Sequence, residues 1–137
     1  MNYWLLKSEP FKYSWEKLLA DGRTHWNGVR NHQAANNLKA MRSGDEAFFY
    51  HSNEGLAVVG IVEIVREYYP DPSDPSGRFG MVDVAPLRPL PHPVTLQQIK
   101  AAPQLAELGL VRQSRLSVVA VGAAEWRLIC KMGGLTA

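Results

Sequence analysis

The residues able to do chemistry gather in a few short segments. Trp26-Asn27-Gly28-Val29-Arg30-Asn31-His32-Gln33 packs one aromatic and several polar side chains into a stretch whose first six residues have neither helical nor strand period. Two readings of it compete. In the plainer one, Trp26 plugs the open end of a barrel and Arg30 pairs with a carboxylate such as Glu9 or Asp45, and composition alone favours this. In the other, Trp26 is a wall on which a planar base stacks, Asn31 and Gln33 offer paired donors and acceptors, and Arg30 reaches a phosphate. A loop built only to connect does not need so large an apolar group, because exposing it forfeits the ~1.5–3 kcal/mol that its burial can contribute. Lys7-Ser8-Glu9-Pro10 and Phe49-Tyr50-His51-Ser52 end strand-like runs, where a barrel places loop-borne binding groups. Strand alternation puts Phe49 and Tyr50 on opposite sides, with Phe49 in the core and Tyr50 at a rim as the plainer assignment. Arg112 and Arg115 precede the last strand-like run, as two cations following a phosphate backbone or merely solvated.

Other chemistries find little support. His25, His32, His51 and His92 show no paired helical spacing and no cysteine partner, so no metal site is expected. Glycines occur singly, in Asp21-Gly22, Asn27-Gly28, Ser43-Gly44 and Val59-Gly60, without a phosphate-cradling loop, so no nucleotide cofactor is expected. Ser8, Ser52 and Ser117 lie outside any Gly-x-Ser-x-Gly elbow. The single cysteine, Cys130, excludes an internal disulfide and reads as a small buried hydrophobe. With 137 residues and 46% hydrophobic content, one domain with its own core is expected. A formal charge of +2 gives no bulk argument for nucleic acid, despite a sequence pI of 8.8. No apolar stretch approaches the ~20 residues of a membrane helix, and the first residues lack a secretory pattern, so a soluble, cytoplasmic protein with no membrane partner is expected.

These groups need elements to hold them. Asn2 to Lys7 reads as a strand stopped by Pro10, and Ser14 caps a two-turn helix with Trp15, Leu18 and Leu19 on one face and a stop at Asp21-Gly22. A second helix is predicted from His32 to Arg42, capped by Asn31, with Ala34, Leu38 and Met41 inward. Glu46 to Ser52 and Ala57 to Tyr68 read as strands joined by a hairpin at Asn53-Glu54-Gly55, the second of them central because both its faces are apolar. Pro70 to Arg78 is a loop, and Phe79 to Leu90 a strand that Pro86 restricts to an edge or a bulge. Thr95-Leu96-Gln97-Gln98 is a capping box for a short helix ended by Pro103, and Leu116 to Val121 a last strand. Ala123 to Met132 is a closing helix before Gly133-Gly134. No internal repeat is apparent. The pattern predicts an α+β domain around a small, mixed or mostly antiparallel β pseudo-barrel flanked by short helices.

Five ordered motifs then carry a resemblance. Trp4-Leu5-Leu6-Lys7-Ser8-Glu9-Pro10, Trp26 to Ala34, Phe49-Tyr50-His51-Ser52, Met81-Val82-Asp83-Val84, and Arg115-Leu116-Ser117-Val118 with Glu125-Trp126 resemble the EVE domain, from Asn2 to about Ile129. The resemblance implies a fold of the PUA-like superfamily, related to the YTH readers of methylated RNA, and a pocket for a modified base. Carried over position by position, it puts Trp26, Arg30, Asn31, Lys7, Ser8, Tyr50, His51 and Ser117 around that cavity. Two departures stand out: the approach to Met81 is reduced to Phe79-Gly80 after a short loop, and Gly122 replaces the usual polar helix cap.

The reading that follows is a non-catalytic module that binds nucleic acid, DNA or RNA, and holds a flipped-out, methylated or oxidised base in an aromatic pocket. Arg30, Arg112 and Arg115 are expected on phosphates, and no cofactor is expected. Two alternatives stay open: an enzyme acting on a modified base or nucleotide, since such enzymes also extrude their target, and an RNA-binding PUA-like module indifferent to modification. A small barrel needs no partner to fold, so a monomer is expected.

Overall fold

The computed structural model describes residues 1–52 and 55–135. Its strands are β1 (Tyr3–Ser8), β2 (Thr24–His25), β3 (Glu46–His51), β4 (Ala57–Pro70), β5 (Gly80–Thr95) and β6 (Val118–Val121). They form one mixed sheet in the order β2-β5-β4-β3-β1-β6, in which β1 and β3 run parallel and every other pair is antiparallel. The helices are α1 (Trp15–Asp21), α2 (His32–Ala40), α3 (Leu96–Ala101), α4 (Gly109–Arg112) and α5 (Ala123–Met132), with a 3-10 turn at Pro103–Leu105. The α+β architecture is as expected, but the sheet is not closed into a barrel. Its edge strands have two and four residues, too little backbone to pair across a gap. Helix α2 packs against both β5 and β6 instead.

Local chemistry explains most element ends. The Ser14 hydroxyl accepts from Lys17 N–H to start α1, and Gly22 stops it at φ +75°, a conformation that costs glycine little. The Asn31 side chain accepts from Ala34 N–H to start α2, and the capping box of Thr95 and Gln98 starts α3 as predicted. At Gly122 the N–H donates to Glu125, which stands in for the missing polar cap of α5. Strand β4 is central, and β5 breaks register with it between Arg88 and Pro86, the bulge that proline demands. The hairpin expected at Asn53-Glu54-Gly55 falls partly outside the described residues. One further reading is corrected. Leu19 is exposed, because α1 is too short for a wide buried face. The 3-10 turn and α4 were not anticipated, and neither has a side-chain cap to announce it.

Rings fill both faces of β3. On one side Phe48 stacks on Trp126 of α5 at 3.9 Å, and Tyr3 stacks on the same indole at 4.5 Å. On the other, Phe49 meets Trp15 and Trp26 edge-to-face at 5.5 and 5.7 Å. The Trp15 indole lies against the backbone of β4 at Gly60, where a Cβ would come within 2.5–2.6 Å of three ring carbons. Gly60→Ala is therefore expected to cost about 1–3 kcal/mol as the overpacked ring shifts, read as a drop in melting temperature. An unchanged melt would mean that Trp15 has room to move.

Candidate functional site

Three restraints fix the loop from Trp26 to Asn31. At its start, Trp26 N–H donates to Val82 O at 2.7 Å, continuing the pairing of β2 with β5. In its middle, Gly28 turns at φ +82° and its N–H donates to Asp71 at 2.8 Å. At its end, Asn31 caps α2.

Asp71, in the loop between β4 and β5, is the anchor. Its buried carboxylate also accepts from Arg30 at 3.2 Å, Ser73 N–H at 2.8 Å and the Ser73 hydroxyl at 2.6 Å. Burial pushes its pKa up, but the hydrogen bonds from Ser73, Gly28 and Arg30 outweigh it and hold the value at about 2. Arg30 also donates to Ser73 Oγ at 2.9 Å. The partner suggested for Arg30, Glu9 or Asp45, is thus Asp71 instead. Asp45 accepts from Asn2 N–H, Trp4 Nε1 and Arg42 N–H, and holds the start of β1 to the approach to β3.

Beneath this loop opens a cleft of about 500 Å³, between the Lys7 to Tyr13 turn and residues Thr24 to Asn27. Trp26 forms part of its wall but is only 9% exposed, so it belongs to the core as well. Ser8 donates through its hydroxyl to Tyr13 O at 2.6 Å, closing the turn. Lys7 reaches over the rim and donates to Ser114 O at 2.8 Å, its ammonium pKa lowered by burial. Two smaller hollows adjoin. One, of about 380 Å³, shares Lys7 and includes Tyr50 and Ser114; the next, of about 350 Å³, shares Ser114 and includes Asn31, Arg112 and Arg115.

The structure therefore brings Trp26, Lys7 and Ser8 into one cleft and spreads Tyr50, Asn31, Arg112 and Arg115 over its neighbours. Tyr50 is 2% exposed and Phe49 fully buried on the opposite face, so both rings are core. Arg30, His51 and Ser117 line none of these hollows. His51 accepts from Trp15 N–H at 3.2 Å through Nε2, and burial lowers its pKa, which suits the neutral ring that such acceptance requires. Ser117 accepts from Lys7 N–H at 3.1 Å through its carbonyl. Arg112 pairs with Glu107 at 2.7 Å in full solvent.

Sequence reasoning missed Lys12, Tyr13, Thr24 and His25 in the cleft, and Asp71 beneath its loop. The cleft residues gave no signal, since they meet only through the fold. Asp71 did give one. Asp71-Pro72-Ser73-Asp74-Pro75-Ser76 is a tandem of the turn chemistry in which an aspartate accepts from the backbone two residues on.

The family described as EVE domain matches residues 2–132. Thymocyte nuclear protein 1 of Rattus norvegicus is 37% identical, over 96% of this chain and 73% of that protein. The NMR structure of Rpa0253 from Rhodopseudomonas palustris is 55% identical with a TM-score of 0.94, covering 100% of this chain and 96% of its own. The crystal structure of human THYN1 protein in complex with 5-methylcytosine containing DNA is 33% identical with a TM-score of 0.93, covering both chains fully. A likeness of fold extends to the YTH domain of Zygosaccharomyces rouxii MRB1 protein, at 16% identity and a TM-score of 0.60 over 96% of this chain and 86% of that one, in keeping with a PUA-like fold.

Proposed function

The chain belongs to the EVE domain family, and from that premise we propose that it is a non-catalytic nucleic-acid-binding module that reads a flipped-out, methylated or oxidised base. The observation that carries this reading is the full-length likeness to a protein crystallised with 5-methylcytosine containing DNA. The cleft supports it physically. A volume of about 500 Å³ suits a single small ligand group. Trp26 offers the stacking surface, Ser8 and Asn27 offer polar groups to a base edge, and Lys7 and Lys12 supply positive charge at the mouth. Tyr50, His51 and Ser117 act behind it, by packing and by holding the backbone of Lys7 and Trp15. Arg112 and Arg115 continue the positive surface beside Asn31, and they and Arg30 meet phosphates.

An affinity panel tests the reading, with single- and double-stranded DNA and RNA, each plain, methylated or oxidised, at a stated salt concentration. Modified strands are expected to bind tighter than plain ones. Arg30→Ala, Arg112→Ala and Arg115→Ala are each expected to lower the salt slope by roughly one unit. Equal affinity for plain and modified strands would overturn the base-reading claim, and turnover of a modified nucleoside would overturn the non-catalytic one.

A further inference from the structure

Phe11 stands apart from the other rings. It is 70% exposed, whereas every other phenylalanine, tyrosine and tryptophan among the described residues is buried or half-buried. An isolated exposed apolar residue is ordinary, but this one belongs to the turn that walls the cleft: Glu9 before it in the chain and Lys12 and Tyr13 after it all line the cavity. The turn that carries it is held firmly. Lys12 N–H and Tyr13 N–H both donate to Glu9 O, at 3.0 and 2.9 Å, and the Ser8 hydroxyl closes the turn on Tyr13 O. The ring is therefore presented by an ordered backbone, with a cation beside it: the Lys12 ammonium lies 6.0 Å from the ring centroid and 3.1 Å from Glu9.

We propose that Phe11 is a wedge that enters the base stack of a duplex at the place the extruded base vacates, with Lys12 on the adjacent phosphate. The inference rests on the base-reading function proposed above. A base can reach the cleft from a duplex only by leaving its stack, and the gap left behind exposes two base faces. A flat apolar ring next to the cleft mouth covers those faces and offsets part of the cost of unstacking. A single strand has no such gap to fill, so the wedge separates the two kinds of substrate.

Phe11→Ala and wild type would be compared on a DNA duplex containing one 5-methylcytosine and on the same strand alone, with melting curves to verify that both proteins fold. A second duplex carries 2-aminopurine beside the modified base to report unstacking. Duplex affinity of Phe11→Ala is expected to fall about ten-fold, the single-strand affinity to stay, and the 2-aminopurine fluorescence rise expected with wild type to be absent. Phe11→Tyr should restore all three. An equal loss on duplex and single strand, or no loss on the duplex, would overturn the wedge while leaving base reading intact. Failure of wild type to bind either probe would count against both readings together.

Discussion

Trp26→Ala is expected to lose stability and binding together. The indole is nine-tenths buried, meets Phe49 edge-to-face, and forms part of the cleft wall. Truncating it removes a large core side chain, at about 3–5 kcal/mol, a substantial share of the 5–15 kcal/mol a domain typically possesses. It also removes the stacking surface, worth about 1–3 kcal/mol per base, or roughly ten- to hundredfold in affinity. The two losses are separable by titrating oligonucleotide well below the lowered melting temperature, where the folded fraction is known. Trp26→Phe keeps a ring in both roles and should melt and bind between wild type and the alanine variant. Normal affinity of the folded Trp26→Ala protein would show that the indole only plugs the sheet, and the base would have to be sought in a neighbouring hollow.

For Asp71→Ala the expectation is a loosened loop and a weaker base reader, although the residue touches no ligand in the proposed complex. Removing the carboxylate takes the shared acceptor from the Gly28 N–H and the Arg30 guanidinium, and because both donors lie at the surface, where water can replace it, each lost hydrogen bond costs about 0.5–1.5 kcal/mol. The charge makes its own contribution. A fall of the pKa from 3.8 to about 2 corresponds to about 1–2 kcal/mol once the half-exposed Arg30 partner is discounted. Because the folded-state value lies below the unfolded one, that contribution is fully present above about pH 4 and is lost as pH falls toward 2. Wild-type stability, followed by chemical denaturation, should therefore decline across that window, and Asp71→Ala should decline less. A parallel decline in both proteins would mean that other carboxylates dominate the acid response. Asp71→Asn has the same shape and can keep one oxygen as acceptor for Gly28 and Arg30, but it turns an NH2 donor toward the Ser73 N–H, so it should lose the pH-dependent part together with that hydrogen bond and fall between wild type and Asp71→Ala.

Much of this molecule is written in its local chemistry. Ser14 and Gly22 bound α1, Asn31 starts α2, the Thr95 and Gln98 pair starts α3, and Ala123–Met132 is a helix to the residue, because caps and periodicity act over three or four positions. The central place of β4 and the irregularity at Pro86 were legible for the same reason: apolar faces and a missing N–H are properties of single residues. The motifs around Lys7, Trp26 and Tyr50 could be singled out by type alone.

What they do together was decided by the tertiary structure. Whether the sheet closes depends on edge strands of two and four residues and on a helix laid between them, and no local pattern encodes a gap. Whether Trp26 is wall or plug depends on Phe49, 23 positions away in the chain, and the answer is that it is core and cleft at once. The partner of Arg30 was undecidable among 13 carboxylates until the loop after β4 folded back to present Asp71. Charge pairing and ring contact act over a few ångströms in space, so they are fixed only when distant segments are brought together, and sequence separation carries no trace of which ones will be.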